Sequence, residues 1–141
     1  MAIDTPAGLV VPNIKQVQKK DLRQVNKELK ELIVRVKASK QTKEDLENGT
    51  FTVSNIGGIG VNAGMPLIFR PQVCIGAIGA PKVIAKFRKE KDGSTIILPS
   101  DMLTLCMTMD HRIVDGATGA RFSKRVKQLL EEPELMTIYL K

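Results

Sequence analysis

Apolar positions follow two different rhythms along this chain. Over about residues 20–37, Leu22, Val25, Leu29, Leu32, Ile33 and Val36 recur mostly at steps of three and four, forming one stripe of a 3.6-residue period. Lys, Arg, Glu, Asn and Gln fill the opposite face, so the segment predicts an amphipathic helix with a solvated basic side. A short helical turn is expected at about 43–47, ended by Asn48-Gly49. Ahead of the long helix, Gly8-Leu9-Val10-Val11 reads as a short strand stopped by Pro12.

Beyond Gly49 the rhythm changes to period two. Thr50-Phe51-Thr52-Val53-Ser54 alternates and runs into the glycine-rich connection Asn55-Ile56-Gly57-Gly58-Ile59-Gly60. Residues 73–80 read as a buried strand whose glycines allow close backbone approach. Residues 83–89 and 94–98 flank Asp92-Gly93 and predict a hairpin. A further strand is expected over 101–109, followed by a helix over 116–131 that Asp115 caps and Pro133 stops. Its inner stripe would be Ala117, Ala120 or Arg121, Phe122, Val126, Leu129 and Leu130. The apolar tail, 135–140, should be buried in this chain or in a neighbour.

Composition narrows the function classes. The 141 residues fit one domain, and 43% hydrophobic with 26% charged residues is ordinary globular content. The net charge of +7 favours anionic partners. Four Phe, one Tyr and no Trp offer little for stacking bases, which weakens a nucleic-acid reading. Cys74 and Cys106 form no Cys-x-x-Cys pair, so zinc and thioredoxin-like chemistry are unsupported, and buried thiols in a reducing compartment are expected. No 18-residue apolar run predicts a membrane span, and no secretory leader is visible.

His111 is the only histidine, so chemistry needing a neutral base near pH 7 falls to it or to a perturbed substitute. It lies in Met109-Asp110-His111-Arg112-Ile113-Val114-Asp115-Gly116, at the expected strand-to-helix junction. Asp115 could cap the helix or pair with an arginine, bracing the loop that carries His111. A histidine in a turn is more commonly a satisfied loop residue, and Asp-Gly is commonly just a turn, so spacing alone leaves both readings open. Ser54, at a strand end, could donate a hydrogen bond to a developing oxyanion, though serines are common there. The run 56–60 is not a phosphate loop: it lacks the Gly-Lys-Ser/Thr ending, and Gly64-Met65-Pro66 follows where a helix should open.

Together these residues spell a family pattern. His111-Arg112-Ile113-Val114-Asp115-Gly116-Ala117, preceded by Asp110 and followed by Ala120-Arg121-Phe122, resembles the His-x-x-x-Asp-Gly signature of the acyltransferase (E2) components of 2-oxo acid dehydrogenase complexes, shared with chloramphenicol acetyltransferase. Three more blocks match in order: residues 4–12, 49–57 and 71–79. The resemblance implies an α+β fold, a two-layer mixed sheet with helices on one face. It implies a dihydrolipoamide acyltransferase that moves an acyl group between dihydrolipoamide and coenzyme A. His111 would be the general base on the attacking thiol, which near pKa 8.5 is mostly protonated at neutral pH. Ser54 would stabilise the tetrahedral oxyanion, a contact worth on the order of 3 kcal/mol. Asp115 would orient the loop. Coenzyme A contacts would fall at Ser54, Asn55, Asp4 and Gly79. Coenzyme A is then a substrate, the lipoyl group rides on a separate domain, and no metal is called for.

Against the family pattern, residues 1–141 read as the C-terminal portion of the catalytic domain, truncated on its N-terminal side. Met1-Ala2-Ile3-Asp4 stands where an internal strand would run. The lipoyl and peripheral-subunit-binding domains, and the arginine that braces the motif aspartate, would lie outside it. In the family the site forms between subunits of a trimer, histidine from one and serine from its neighbour, and the C-terminal tail joins trimers into a hollow core. The implied partners are a homo-oligomer, the lipoyl domain and the E1 and E3 components, with no nucleic acid and no membrane. A non-catalytic, core-forming component is the alternative reading. Residues 54–60 and Gly116-Ala117-Thr118 look like branched-chain acyltransferases, with acetyl and succinyl transfer open. Bacterial cytoplasm or mitochondrial matrix suits the chemistry.

Overall fold

A computed structural model describes residues 1–138. Helix α1 (Leu22–Lys37) starts where its cap allows: Asp21 accepts from the Gln24 backbone N–H at 2.8 Å, and the Gln24 side chain accepts from the Asp21 N–H at 2.9 Å. This reciprocal box satisfies two of the backbone donors that a helix start leaves unpaired. Leu32 and Val36 are buried, whereas Leu22, in the first turn, is exposed. Arg35 donates to Asp45 at 2.8 Å, joining α1 to the short helix α2 (Lys43–Leu46). Asn13 donates to the Asp45 and Glu47 carbonyls and ties in the chain after the first hairpin.

Three strands form the central sheet: β3 (Thr52–Asn55), β4 (Cys74–Ile78) and β7 (Leu105–Met109). Their order is β3-β4-β7, with β3 parallel to β4 and β4 antiparallel to β7. Buried on both sides, β4 needs the unbroken apolar run that residues 74–78 supply. Thr52, also buried, directs its hydroxyl to Gln72 at 2.6 Å and so carries no unsatisfied donor.

Helix α3 (Gly116–Glu131) packs on β7, and of the expected stripe only Val126 and Leu129 face inward. The residues turned inward are Gly119, Ser123, Val126 and Leu129, while Ala117, Ala120, Arg121, Phe122 and Leu130 are exposed. Gly119 lies on this face: a Cβ there would stand 2.7 Å from the Met109 sulfur, so a larger residue would have to push that side chain aside. Phe122 still packs its ring against Phe51, with centroids 6.0 Å apart.

Two hairpins complete the fold. Strands β1 (Ile3–Thr5) and β2 (Gly8–Val10) pair antiparallel, as do β5 (Lys82–Lys89) and β6 (Thr95–Met102). The strand expected over 101–109 is therefore divided, because β6 runs on through Pro99 to Met102 and β7 begins only at Leu105. Proline lacks a ladder donor, but a two-stranded ribbon has only edges and tolerates it.

Cys74 is buried and Cys106 half-buried; both are free, and burial pushes the Cys74 thiol up. Leu135 and Met136, in the 3-10 turn Pro133–Ile138, are half-buried, while the expectation for Tyr139 and Leu140 lies outside the described residues. No helix among the described residues is long and apolar enough to cross a membrane. The accessible surface is 10694 Å², against about 7,200 Å² for a compact monomer of this mass. Much of the excess is apolar: Met65, Leu67, Val83, Phe87 and Ile97 are each more than half exposed.

Candidate active site

The sheet register divides the predicted site residues between two ends of the molecule. Ser54 stands opposite Ala77, and Ala77 opposite Cys106. His111 follows five positions after Cys106, past the end of β7 and two strands away from β3. With about 3.4 Å per residue and 4.8 Å between strands, the two side chains are roughly 15–20 Å apart within one chain.

At one end, Ser54 is half-buried and its hydroxyl has no hydrogen-bond partner among the described residues. Asn55 is exposed and accepts from the Gly58 N–H at 3.3 Å, holding the turn Gly57–Ile59. Ala2 donates to the Val53 carbonyl at 2.9 Å, which brings the start of β1, and so the Asp4 segment, beside β3. Asp4 itself is exposed on β1. Gly79 is buried where β4 leaves the sheet, and a Cβ there would come within 1.9 Å of the Asn62 carbonyl oxygen. That position needs glycine for packing beneath the loop.

At the other end, the turn after β7 is fixed from several directions. Asp110 continues the ladder by donating to the Val73 carbonyl at 2.9 Å, and its own carbonyl accepts from Ile113 and Val114. The Arg112 guanidinium grips the Asp110 carboxylate through Nε at 2.9 Å and Nη2 at 2.5 Å, and the Arg112 backbone N–H adds a third contact at 3.1 Å. These bonds, the guanidinium first, hold the Asp110 carboxyl down to about 2. His111, between the two, is exposed, and its Nε2 faces Gly116, where a Cβ would lie 3.9 Å away.

Asp115 fulfils the capping half of its expected role. Its carboxylate accepts from the Thr118 backbone N–H at 2.8 Å and from the Thr118 hydroxyl at 2.7 Å, which keeps the carboxyl below its ordinary range. Arg121 reaches the Thr118 hydroxyl at 3.2 Å. Arg112 and Thr118 are thus the partners of the two aspartates, and neither was a candidate in the sequence. The available signals were an arginine two residues after Asp110 and a hydroxyl three after a capping aspartate. A cavity of about 160 Å³ between α1 and α2 is lined by none of the predicted site residues, and no group of three metal-ligating side chains occurs among the described residues.

Residues 1–138 match the family of 2-oxoacid dehydrogenases acyltransferase (catalytic domain). The chain is 43% identical over 141 residues to the lipoamide acyltransferase component of the mitochondrial branched-chain alpha-keto acid dehydrogenase complex of Caenorhabditis elegans, covering all of this chain and 31% of that protein. Among solved structures, one was determined to study a serine, a histidine and an asparagine in the catalytic mechanism of Azotobacter vinelandii dihydrolipoamide acetyltransferase. It matches at TM-score 0.82 and 34% identity, over 99% of this chain and 54% of that one. The cubic core of a pyruvate dehydrogenase multienzyme complex matches at TM-score 0.82 and 35% identity, with the same coverage. The chain spans about a third of the length of the curated relatives it matches.

Proposed function

We propose that this chain, which belongs to the family of 2-oxoacid dehydrogenase acyltransferase catalytic domains, moves an acyl group between dihydrolipoamide and coenzyme A at a site assembled from two copies of itself. The observation that carries the reading is the placement of Ser54 and His111 at opposite ends of one sheet, roughly 15–20 Å apart. An oxyanion donor and a base must both lie within about 3 Å of the reacting atoms. One chain does not bring them together; the Ser54 end of one copy against the His111 end of another does.

The chemistry follows from the side chains. Neutral His111 takes the proton of the incoming thiol, and the thiolate adds to the thioester carbonyl. Ser54, with an uncommitted hydroxyl, donates to the oxygen that becomes negative. Collapse expels the other sulfur, which recovers the proton from the imidazolium. Asp115 is the point of contrast with the Azotobacter protein, whose asparagine stands four residues after its histidine. Asp115 occupies that spacing here, but as an ionised carboxylate it only accepts, and Thr118 occupies it. It orients and transfers no proton.

Coenzyme A contacts are assigned to Ser54, Asn55 and Asp4 at the β3 end, with Gly79 shaping the loop beneath. The lipoyl group would arrive on a separate domain, and the E1 and E3 components would bind through others. The C. elegans relative is a branched-chain component, which puts isobutyryl-CoA ahead of acetyl- and succinyl-CoA as the first substrate to assay. That relative is mitochondrial; the matrix and a bacterial cytoplasm both suit the chemistry. The surface excess over a compact monomer favours the core-forming role as well, and assembly and catalysis are then one property.

Subunit mixing tests this. Ser54→Ala and His111→Ala in the full-length protein should each abolish most turnover. Dissociated, mixed in equal amounts and reassembled, they should recover about a quarter of wild-type activity, because half the interfaces receive an intact serine and half of those an intact histidine. Near-normal turnover of His111→Ala alone removes the base assignment; no recovery on mixing removes the shared site.

A further inference from the structure

The unassigned part of the site is what holds His111 in place. Two side-chain pairs bracket it. Asp110 and Arg112, its two chain neighbours, are joined across it by a two-pronged guanidinium–carboxylate contact and a backbone bond. Asp115 and Thr118 bracket Gly116, the residue that the His111 ring faces. Each pair has a distinct geometric requirement. The first needs a planar fork, which lysine cannot reproduce. The second needs a hydroxyl at residue 118, since the backbone N–H occupies only one Asp115 oxygen.

We propose that Arg112 and Thr118 are positioning residues for His111, Arg112 by clamping the turn at Asp110 and Thr118 by locking the Asp115 carboxylate at the start of α3, next to the Gly116 that the imidazole faces. The inference rests on the base assignment above. The Thr118 hydroxyl has one proton and gives it to Asp115, while its oxygen accepts from Arg121, so the hydroxyl is held both as donor and as acceptor. The anchors hold the chain on both sides of the imidazole: the Asp110 backbone to β4's approach through Val73, and the first turn of α3 to β7 through Gly119 and Met109. With the pairs intact, the ring's backbone and the floor it faces are fixed relative to the sheet. Without either, the imidazole keeps its chemistry and loses its aim, and misplacement by about 1 Å costs up to a hundredfold in rate.

The test uses the full-length protein with coenzyme A and dihydrolipoamide substrates. Arg112→Lys and Thr118→Val should each lower kcat by about tenfold to a hundredfold and leave KM for coenzyme A within about twofold. Thr118→Ser, which restores the hydroxyl, should recover kcat to within about twofold of wild type. Urea unfolding of each variant separates aim from folding. Unchanged kcat in Arg112→Lys and Thr118→Val, beside an inactive His111→Ala, overturns this proposal and leaves the base assignment standing. A Thr118→Ser variant as slow as Thr118→Val overturns the hydroxyl's role, as does a kcat loss matched by the unfolded fraction. Turnover in His111→Ala fells the base assignment, and this proposal with it.

Discussion

The β3-β4-β7 sheet and the β5–β6 hairpin both carry large apolar side chains, and those side chains end in opposite environments. In β4 the residues from Cys74 to Ala77 are all buried. In the hairpin, Val83, Phe87 and Ile97 line one face with Ala85 and Pro99 between them, yet those three are 68%, 72% and 63% exposed. The other face carries Ile84, Ile96 and Leu98, only half-buried. On that second face they alternate with Lys82, Lys86 and Arg88, so only the Val83–Phe87–Ile97 face is an apolar surface that the single chain leaves uncovered. Burial in the sheet is a property of the chain; burial in the hairpin belongs to whatever the chain assembles with.

Glycine substitution gives the widest separation. Gly79→Ala, whose Cβ would meet the Asn62 backbone at 1.9 Å, should cost about 3 kcal/mol in urea unfolding because a backbone segment must move. Gly58→Ala, with nothing within 4 Å of its Cβ, should stay within about 0.5 kcal/mol of wild type. Similar losses in both would mean that the 56–62 loop does not pack on the sheet end as described.

Legibility followed the same division. Helix α1, the buried β4 and the strand-to-helix junction at His111 were readable because their patterns are satisfied locally. The break at 103–104 was not, because Pro99, Ser100 and Asp101 interrupt the apolar run earlier and only pairing with β5 carries β6 on to Met102. Strand β1 is three residues long and carries no periodic signal. The inward face of α3 was caught at Val126 and Leu129 and missed at Gly119 and Ser123, which add little apolar area to a periodic pattern. At the site, the position of His111 was legible, whereas Ser54 was a weak strand-end candidate until the family resemblance gave it a role, since distance along the chain hides any pairing with His111. Arg112 and Thr118 lie two and three residues from their partners, where sequence cannot tell a clamp from a solvated pair.

Isoleucine truncations probe the same division one step lower. Ile75→Ala, at a position 6% exposed, should cost about 2–4 kcal/mol. Ile97→Ala should cost less than about 0.5 kcal/mol in the dissociated chain and instead weaken association, read by sedimentation across a concentration series. Equal losses in the dissociated chain would show that the hairpin is packed within the monomer, and the contrast would collapse.

The smallest expected effect belongs to the turn between these regions. The Asp110 carboxyl is held at about 2, chiefly by Arg112, against an ordinary value of 3.8. A carboxyl with a lower pKa folded than unfolded stabilises the fold fully above the unfolded value and loses that contribution as pH falls toward the folded one. Between about pH 4 and 2, wild type should therefore lose more thermal stability than Asp110→Asn, with the two converging at the acid end. Arg112 is 82% exposed, so the pair is well screened, and added salt should shrink the difference further. A gap that does not change with pH would mean that Asp110 titrates alike in the folded and unfolded chain. The fork would then contribute aim to His111 without stability, and loss of turnover in Arg112→Lys would be the only trace of it.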